Sequence, residues 1–205
     1  VFVIARILPH GDAPMSPRYR CIAAFHHQFC YGSLPVRATH RFITLVKQKE
    51  NTEIIAAELI TILGLYGRWD EEPKIPRVPA PFVTFLLATC WTTTSMSRKM
   101  EYQTRAALME LSASADDNDG ISVIDITNPT SPAYCFNHIS ELPLSAREYL
   151  SGYYNLPKEG EELTPSEDGK TMDHLTKNAA ASISLLRDVL MVTIEMLAEA
   201  WPSEY

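Results

Sequence analysis

The first eight residues, VFVIARIL, place apolar side chains on both faces of a strand. Val1, Val3, Ala5 and Ile7 lie on one face, and Phe2, Ile4 and Leu8 on the other with Arg6. Such a strand needs cover on both faces, which a sheet with one wet side does not supply. A hairpin offers it neighbours. Ile121–Thr127 (ISVIDIT) and Ala133–Ser140 (AYCFNHIS) flank Asn128-Pro129-Thr130-Ser131-Pro132, and Asn followed by Pro suits the first two positions of a type I turn. The first strand is expected to complete a three-stranded antiparallel sheet with this hairpin.

Helical spacing dominates the rest. Tyr19–Tyr31 reads as a helix with Tyr19, Ile22, Phe25, His26 and Phe29 on one side. A strand with Cys21, Ala23, Phe25, His27 and Phe29 on one face is the alternative; the alanines favour the helix. Ser33 is expected to cap the next helix, to Gln48, with Pro35 in its first turn. Asn51 is expected to cap a third, burying Ile55, Leu59, Ile62 and Tyr66. Phe82–Trp91 reads as a buried helix and Met96–Ser112 as another. A stripe from Leu175 through Ser182, Leu186, Val189 and Thr193 to Leu197 predicts one long helix from Thr171 to Ala200. At ~1.5 Å per residue it would run about 45 Å, as the spine of the domain or across a dimer. The expected fold is α+β and mostly helical, a single globular domain over 1–205. Helices surround a small antiparallel sheet (strands near 1–8, 121–127 and 133–140), followed by a long C-terminal helix.

Composition narrows the class. Of 205 residues, 46% are hydrophobic and 21% charged, which excludes a disordered chain. The formal charge of −7 hides an asymmetry: residues 1–49 hold seven Lys/Arg and one acid, whereas the remainder is strongly acidic. The two parts are expected to attract, within the domain or across a homodimer. A sequence pI near 5.4 argues against a nucleic-acid partner. The longest apolar stretch, Pro81–Trp91, is too short to span a bilayer. The four cysteines form no C-x-x-C pair, which suits reduced thiols in the cytoplasm.

Motifs with built-in chemistry are absent. Asp116-Asp117-Asn118-Asp119-Gly120 fails as a calcium loop, because aligning Gly120 with the sixth position leaves Ala115 first and Ile126 twelfth. A turn before the hairpin is expected instead. His26 and Cys30 would sit one helical turn apart, but two ligands do not make a site and no metal is expected. Asp125 shares a strand face with Ile121 and Val123, a costly place for a carboxylate unless paired, and Arg6 is its expected partner.

Two stretches carry a resemblance. AAFHHQFCYGSLPVRATHRFITLVKQKENTEII and DDNDGISVIDITNPTSPAYCF together resemble a family of proteins from mushroom-forming fungi, over about half the chain. Those motifs carry no established chemistry. GISVIDITNPTSPAYCF is also similar to a propeller repeat unit, but one copy reads as a hairpin only. The fungal setting and chain size are also those of mushroom pigment-binding chromoproteins. That likeness implies a non-covalent organic chromophore of indolone type and no catalysis, and it transfers no site residue.

The expected function is therefore non-enzymatic binding of a small planar organic molecule. The pocket would lie between the first two helices and Phe82–Trp91. His26 and Tyr31 would be the polar contacts, and Phe25, Phe29 and Trp91 the stacking walls. The alternatives are a small-metabolite enzyme using His26 and Asp125 as general base and partner, and an interaction or scaffold protein built on the C-terminal helix.

Overall fold

A computed structural model describes residues 1–7, 16–27, 30–62, 76–92, 100–102, 121–137, 142–156 and 170–205. The expected turn at 116–120 and the aromatic residues Phe29 and Tyr66 lie outside them. Strands β1 (Phe2–Ile7) and β2 (Arg18–His27) pair antiparallel. Helices α1 (Ser33–Val46), α2 (Lys49–Thr61) and α3 (Pro81–Thr92) follow, then β3 (Met100–Tyr102). The hairpin β4 (Ile121–Asp125) and β5 (Ala133–Asn137) leads to α4 (Ala146–Ser151). Helix α5 (Lys170–Ser184), strand β6 (Leu190–Met191) and helix α6 (Ile194–Ala200) complete the described elements.

The sheet corrects the expected one. It is mixed and six-stranded among the described residues, in the order β3-β2-β1-β4-β5-β6. The hairpin forms as expected, with Ser131 N donating to Asn128 O at 2.9 Å and Asn128 Oδ1 accepting from Thr130 N at 3.1 Å. However, β1 lies parallel to β4, so the three expected strands are not an antiparallel set. Phe2, Val3, Ile4, Ala5 and Ile7 are all buried, as a two-sided strand requires.

Helices cover both faces. Phe2, on the face shared with Val123 and Cys135, meets Trp201 edge-on, with ring centroids 5.4 Å apart. Phe136, on the opposite face, stacks on Tyr149 of α4 at 4.6 Å. The tail of α6 therefore packs on one side, and α4, α5, α1 and α3 form a connected layer on the other.

Three expected helices fail. Tyr19–Tyr31 is strand β2 over Arg18–His27. Cys21 to Phe25 are buried without alternation because the strand is covered on both faces, and a bulge at Ile22 shifts its register between Val3 and Ile4. Pairing with β1 on one edge and β3 on the other outweighs the helix preference of two alanines. The expected helix Met96–Ser112 is contradicted at Met100–Tyr102, which pair with β2; its remainder lies outside the described residues.

The long C-terminal helix is two short ones. After α5 the backbone tightens, with Leu186 N donating to Ile183 O and Val189 N to Leu186 O. β6 then pairs with the free edge of β5, and Val192 N donates to Tyr134 O at 2.9 Å. Satisfying that edge, and the extended conformation of Thr193 before α6, break the helix. The apolar stripe continues through both pieces, so its spacing does not reveal the break.

Caps also differ in detail. Gly32, not Ser33, precedes α1, at φ +60°. A Cβ there would lie 2.7 Å from the Tyr154 hydroxyl, so both backbone and space favour glycine. Gln48, rather than Asn51, precedes α2, and Asn51 instead donates to Leu45 O at 2.8 Å. Helix α3 begins at Pro81 and is capped from outside. Glu58 of α2 accepts from Phe82 N at 2.8 Å and Val83 N at 2.9 Å. One carboxylate thus satisfies two orphan amides and faces the positive end of the helix. Glu58→Ala is expected to lower unfolding stability by about 1–2 kcal/mol, read as a fall in urea midpoint with unchanged slope; an unchanged midpoint would show that the cap carries no stability.

Candidate functional site

The two ends of the sheet differ in chemistry. At one end, β1 and β4 begin and β2 and β5 finish. There a depression is lined by Phe25 and His26 of β2, Trp91 of α3, Phe136 of β5 and Tyr149 of α4. Phe25 and Trp91 are buried, and His26 is half-buried. Trp91 is braced by Phe42 of α1, ring to ring at 6.4 Å. The enclosed part measures about 30 Å³, the space of a single water, while the total empty volume including the open mouth is about 490 Å³.

Three of the five expected contact residues, Phe25, His26 and Trp91, therefore meet at one site. Tyr31 does not line it and is 48% exposed. Phe29 lies outside the described residues. The surroundings also differ from the expectation, because Phe25 and His26 project from a strand and not from a first helix. Spacing missed Tyr149, Phe136, Ser122 and His27, which also line the depression. The sequence signal for two of them was present in the hairpin, whose first and last turns of strand carry Ser122 and Phe136; nothing in their spacing pointed across to β2.

Cys30 completes the wall. Burial pushes its thiol up to about 11, with the Arg41 guanidinium pulling the other way. Cys90 is raised to about 11 for the same reason, again opposed by Arg41. Arg41 Nη2 donates to Cys90 O at 2.5 Å, tying α1 to the carboxyl end of α3. Cys21 and Cys135 are pushed by burial to about 12. These are poor nucleophiles at neutral pH. Among the described residues no group of three or more His, Cys, Asp or Glu could hold a metal ion.

The opposite end of the sheet holds Asp125. Burial raises its pKa, and Thr127 opposes the rise: Thr127 N and Oγ1 donate to Asp125 Oδ1 at 2.8 and 2.6 Å. Arg6 is not the expected ion-pair partner. Its Nε donates to Pro17 O at 3.3 Å, and a residue two positions along supplies the local hydrogen bonds that the carboxylate needs. Asp125 also cannot serve His26. It aligns with Ile4 and so with Cys21 of β2, leaving His26 roughly 15 Å farther along at ~3.3 Å per residue. His26 and Asp125 are not brought together as a general-base pair, and the C-terminal helix on which the scaffold alternative was built is two short helices.

Compared with family models, curated proteins and solved structures, the chain gives no match. Among the described residues no helix is long and apolar enough to cross a membrane.

Two outcomes follow from the buried groups. At pH 8 the native thiols are expected to react with a disulfide reagent about 100-fold more slowly than free cysteine, and all four should react promptly in guanidinium. One native thiol reacting at the free rate would show that Cys30 is not shielded. Asp125 has a folded pKa above its ordinary value, so folding favours its proton. Its contribution to stability is greatest below the ordinary carboxylate range and declines as pH rises through the folded value. Asp125→Asn keeps an acceptor for both Thr127 donors, so its urea midpoint relative to the parent should improve between pH 4 and pH 7; a constant difference would contradict the cost of burial.

Proposed function

We propose that this chain is a non-enzymatic protein that binds a small planar organic molecule, with an indolone-type pigment as the chromophore class. The binding place is the depression between β2, α3 and α4. The observation that carries the reading is the convergence of Phe25, His26 and Trp91, from separate parts of the chain, on one depression backed by the Phe136–Tyr149 stack. Aromatic walls with one or two polar groups suit a flat ring whose edge carries a carbonyl or N–H.

Size limits the ligand. Pockets for drug-sized molecules hold about 300–1,000 Å³, and the enclosed part here holds about 30 Å³. The ring therefore lodges in the open mouth, one edge directed inward between Trp91 and Phe25, with His26 as its hydrogen-bonding partner. Phe136 and Tyr149 lie behind that edge. A pigment as the occupant rests on the chain size and fungal setting that this sequence shares with mushroom chromoproteins. Four free cysteines, three of them buried, fit a reducing compartment, and we place the protein in the cytoplasm, as a single domain or a homodimer.

The test is the absorption spectrum of the purified native protein beyond 300 nm, with mass spectrometry of whatever denaturation releases. A bound chromophore should absorb there, and Trp91→Ala should weaken its retention on the order of 10-fold or more. His26→Ala should shift the absorption maximum with a smaller loss of binding. Colourless protein that releases no small molecule would end the reading, as would a spectrum unchanged in both variants.

A further inference from the structure

Strands β1 and β4 are parallel neighbours, but the chain leaves them in opposite directions. β1 is followed by β2 on one flank, and β4 by β5 on the other. The carboxyl ends of this pair are remote from His26 and Trp91, and they gather a carboxylate, a phenol and a guanidinium.

Four side chains meet there. Asp125 is buried, and its Oδ1 accepts from Thr127; among the described residues Oδ2 accepts no hydrogen bond. Thr127 Oγ1 in turn accepts from Arg6 N at 2.8 Å. Tyr19 pairs with Arg6 across β2, and its phenol lies close enough to Asp125 and Thr127 for both to act on its ionisation. Glu199 of α6 fixes the Tyr19 backbone, accepting from its N at 3.1 Å. The Arg6 side chain is exposed, and its two terminal nitrogens have no acceptor among the described residues. Arg18 and Arg20 stand at the same edge, beside Glu195 and Glu199 of α6.

The fold does not need this carboxylate. Its hydrogen bonds are local, among the described residues it pairs with no cation, and burial penalises it. An unused carboxylate oxygen beside a phenol and a threonine hydroxyl presents acceptor and donor in alternation, the set that recognises hydroxyl groups. A free guanidinium fork recognises carboxylate or phosphate through two parallel hydrogen bonds. We propose that the carboxyl ends of β1 and β4 form a second binding site, for a small polyhydroxylated organic anion, with Arg6 holding the anionic group and Asp125 Oδ2 and the Tyr19 hydroxyl holding hydroxyls. Carboxylate and phosphate present the same chemistry to the fork.

Isothermal titration of the full chain at low ionic strength tests this. The probes are D-gluconate and sorbitol 6-phosphate, with sorbitol and acetate as controls that carry only half the chemistry. At least one of the two anionic polyols should bind 10-fold or more tightly than both controls, and whichever binds more tightly identifies the anionic group preferred. Arg6→Met should weaken that binding about 10-fold and Tyr19→Phe about 5-fold, with melting temperature and occupancy of the His26 depression unchanged. Both substituted side chains reach solvent, so the fold should survive either change. No heat with either anionic polyol up to about 10 mM would overturn the proposal. So would equal affinity in the parent and both variants, or binding no tighter than acetate.

Discussion

Strand β1 organises everything else. Phe2, Val3, Ile4, Ala5 and Ile7 are each buried to 1% exposure or less. Covering a side chain of the size of Val, Ile or Phe contributes roughly 1.5–3 kcal/mol, and β1 collects that from both faces. It also pairs on both edges, antiparallel to β2 and parallel to β4. No edge is left for water, and only Arg6 reaches solvent. Its neighbours inherit the constraint: β4 and β5 are buried at every position, and β2 through its centre.

Local chemistry made parts of this architecture legible. The doubled apolar faces of VFVIARIL require two layers of cover, and both layers exist. The Asn128 turn forms its hairpin because an i to i+3 hydrogen bond and an asparagine side chain need nothing outside the turn. The misreadings have the opposite character. β2 is buried on both faces and bulged, so neither period survives in it, and only its pairing partners decide its state. The C-terminal break depends on the edge of β5, some fifty residues away in sequence, which an apolar stripe cannot register.

The first site shows the same division. Phe25, His26 and Trp91 stand out by residue type, as rings and an imidazole in an apolar setting, and all three line one depression. Their convergence survives the exchange of a helix for a strand, although Phe25 and His26 move from the middle of the expected helix to the carboxyl end of β2. Tyr31 falls away for a geometric reason: it follows β2 and stands before Gly32, whose positive φ turns the chain into α1. Asp125 was conspicuous for its cost, but its partner was misassigned. A threonine two residues along needs no tertiary contact to reach it, whereas an arginine on the next strand must abandon solvent to do so.

The polarity of β1 itself explains why the two ends of the sheet diverge. Phe2 sits at its start, where it packs on Trp201 and borders the aromatic depression. Arg6 sits near its finish on the same face, where an apolar residue would have continued the core. Because β4 runs parallel, its own start and finish fall at the same two ends, and Ser122 and Asp125 divide between them as Phe2 and Arg6 do. An antiparallel β4 would have brought Asp125 beside the depression and mixed a buried carboxylate with the aromatic wall. The parallel pairing therefore separates a weakly polar, ring-lined end from a charged one across a rigid central strand, and any ligand at either end meets only one kind of chemistry.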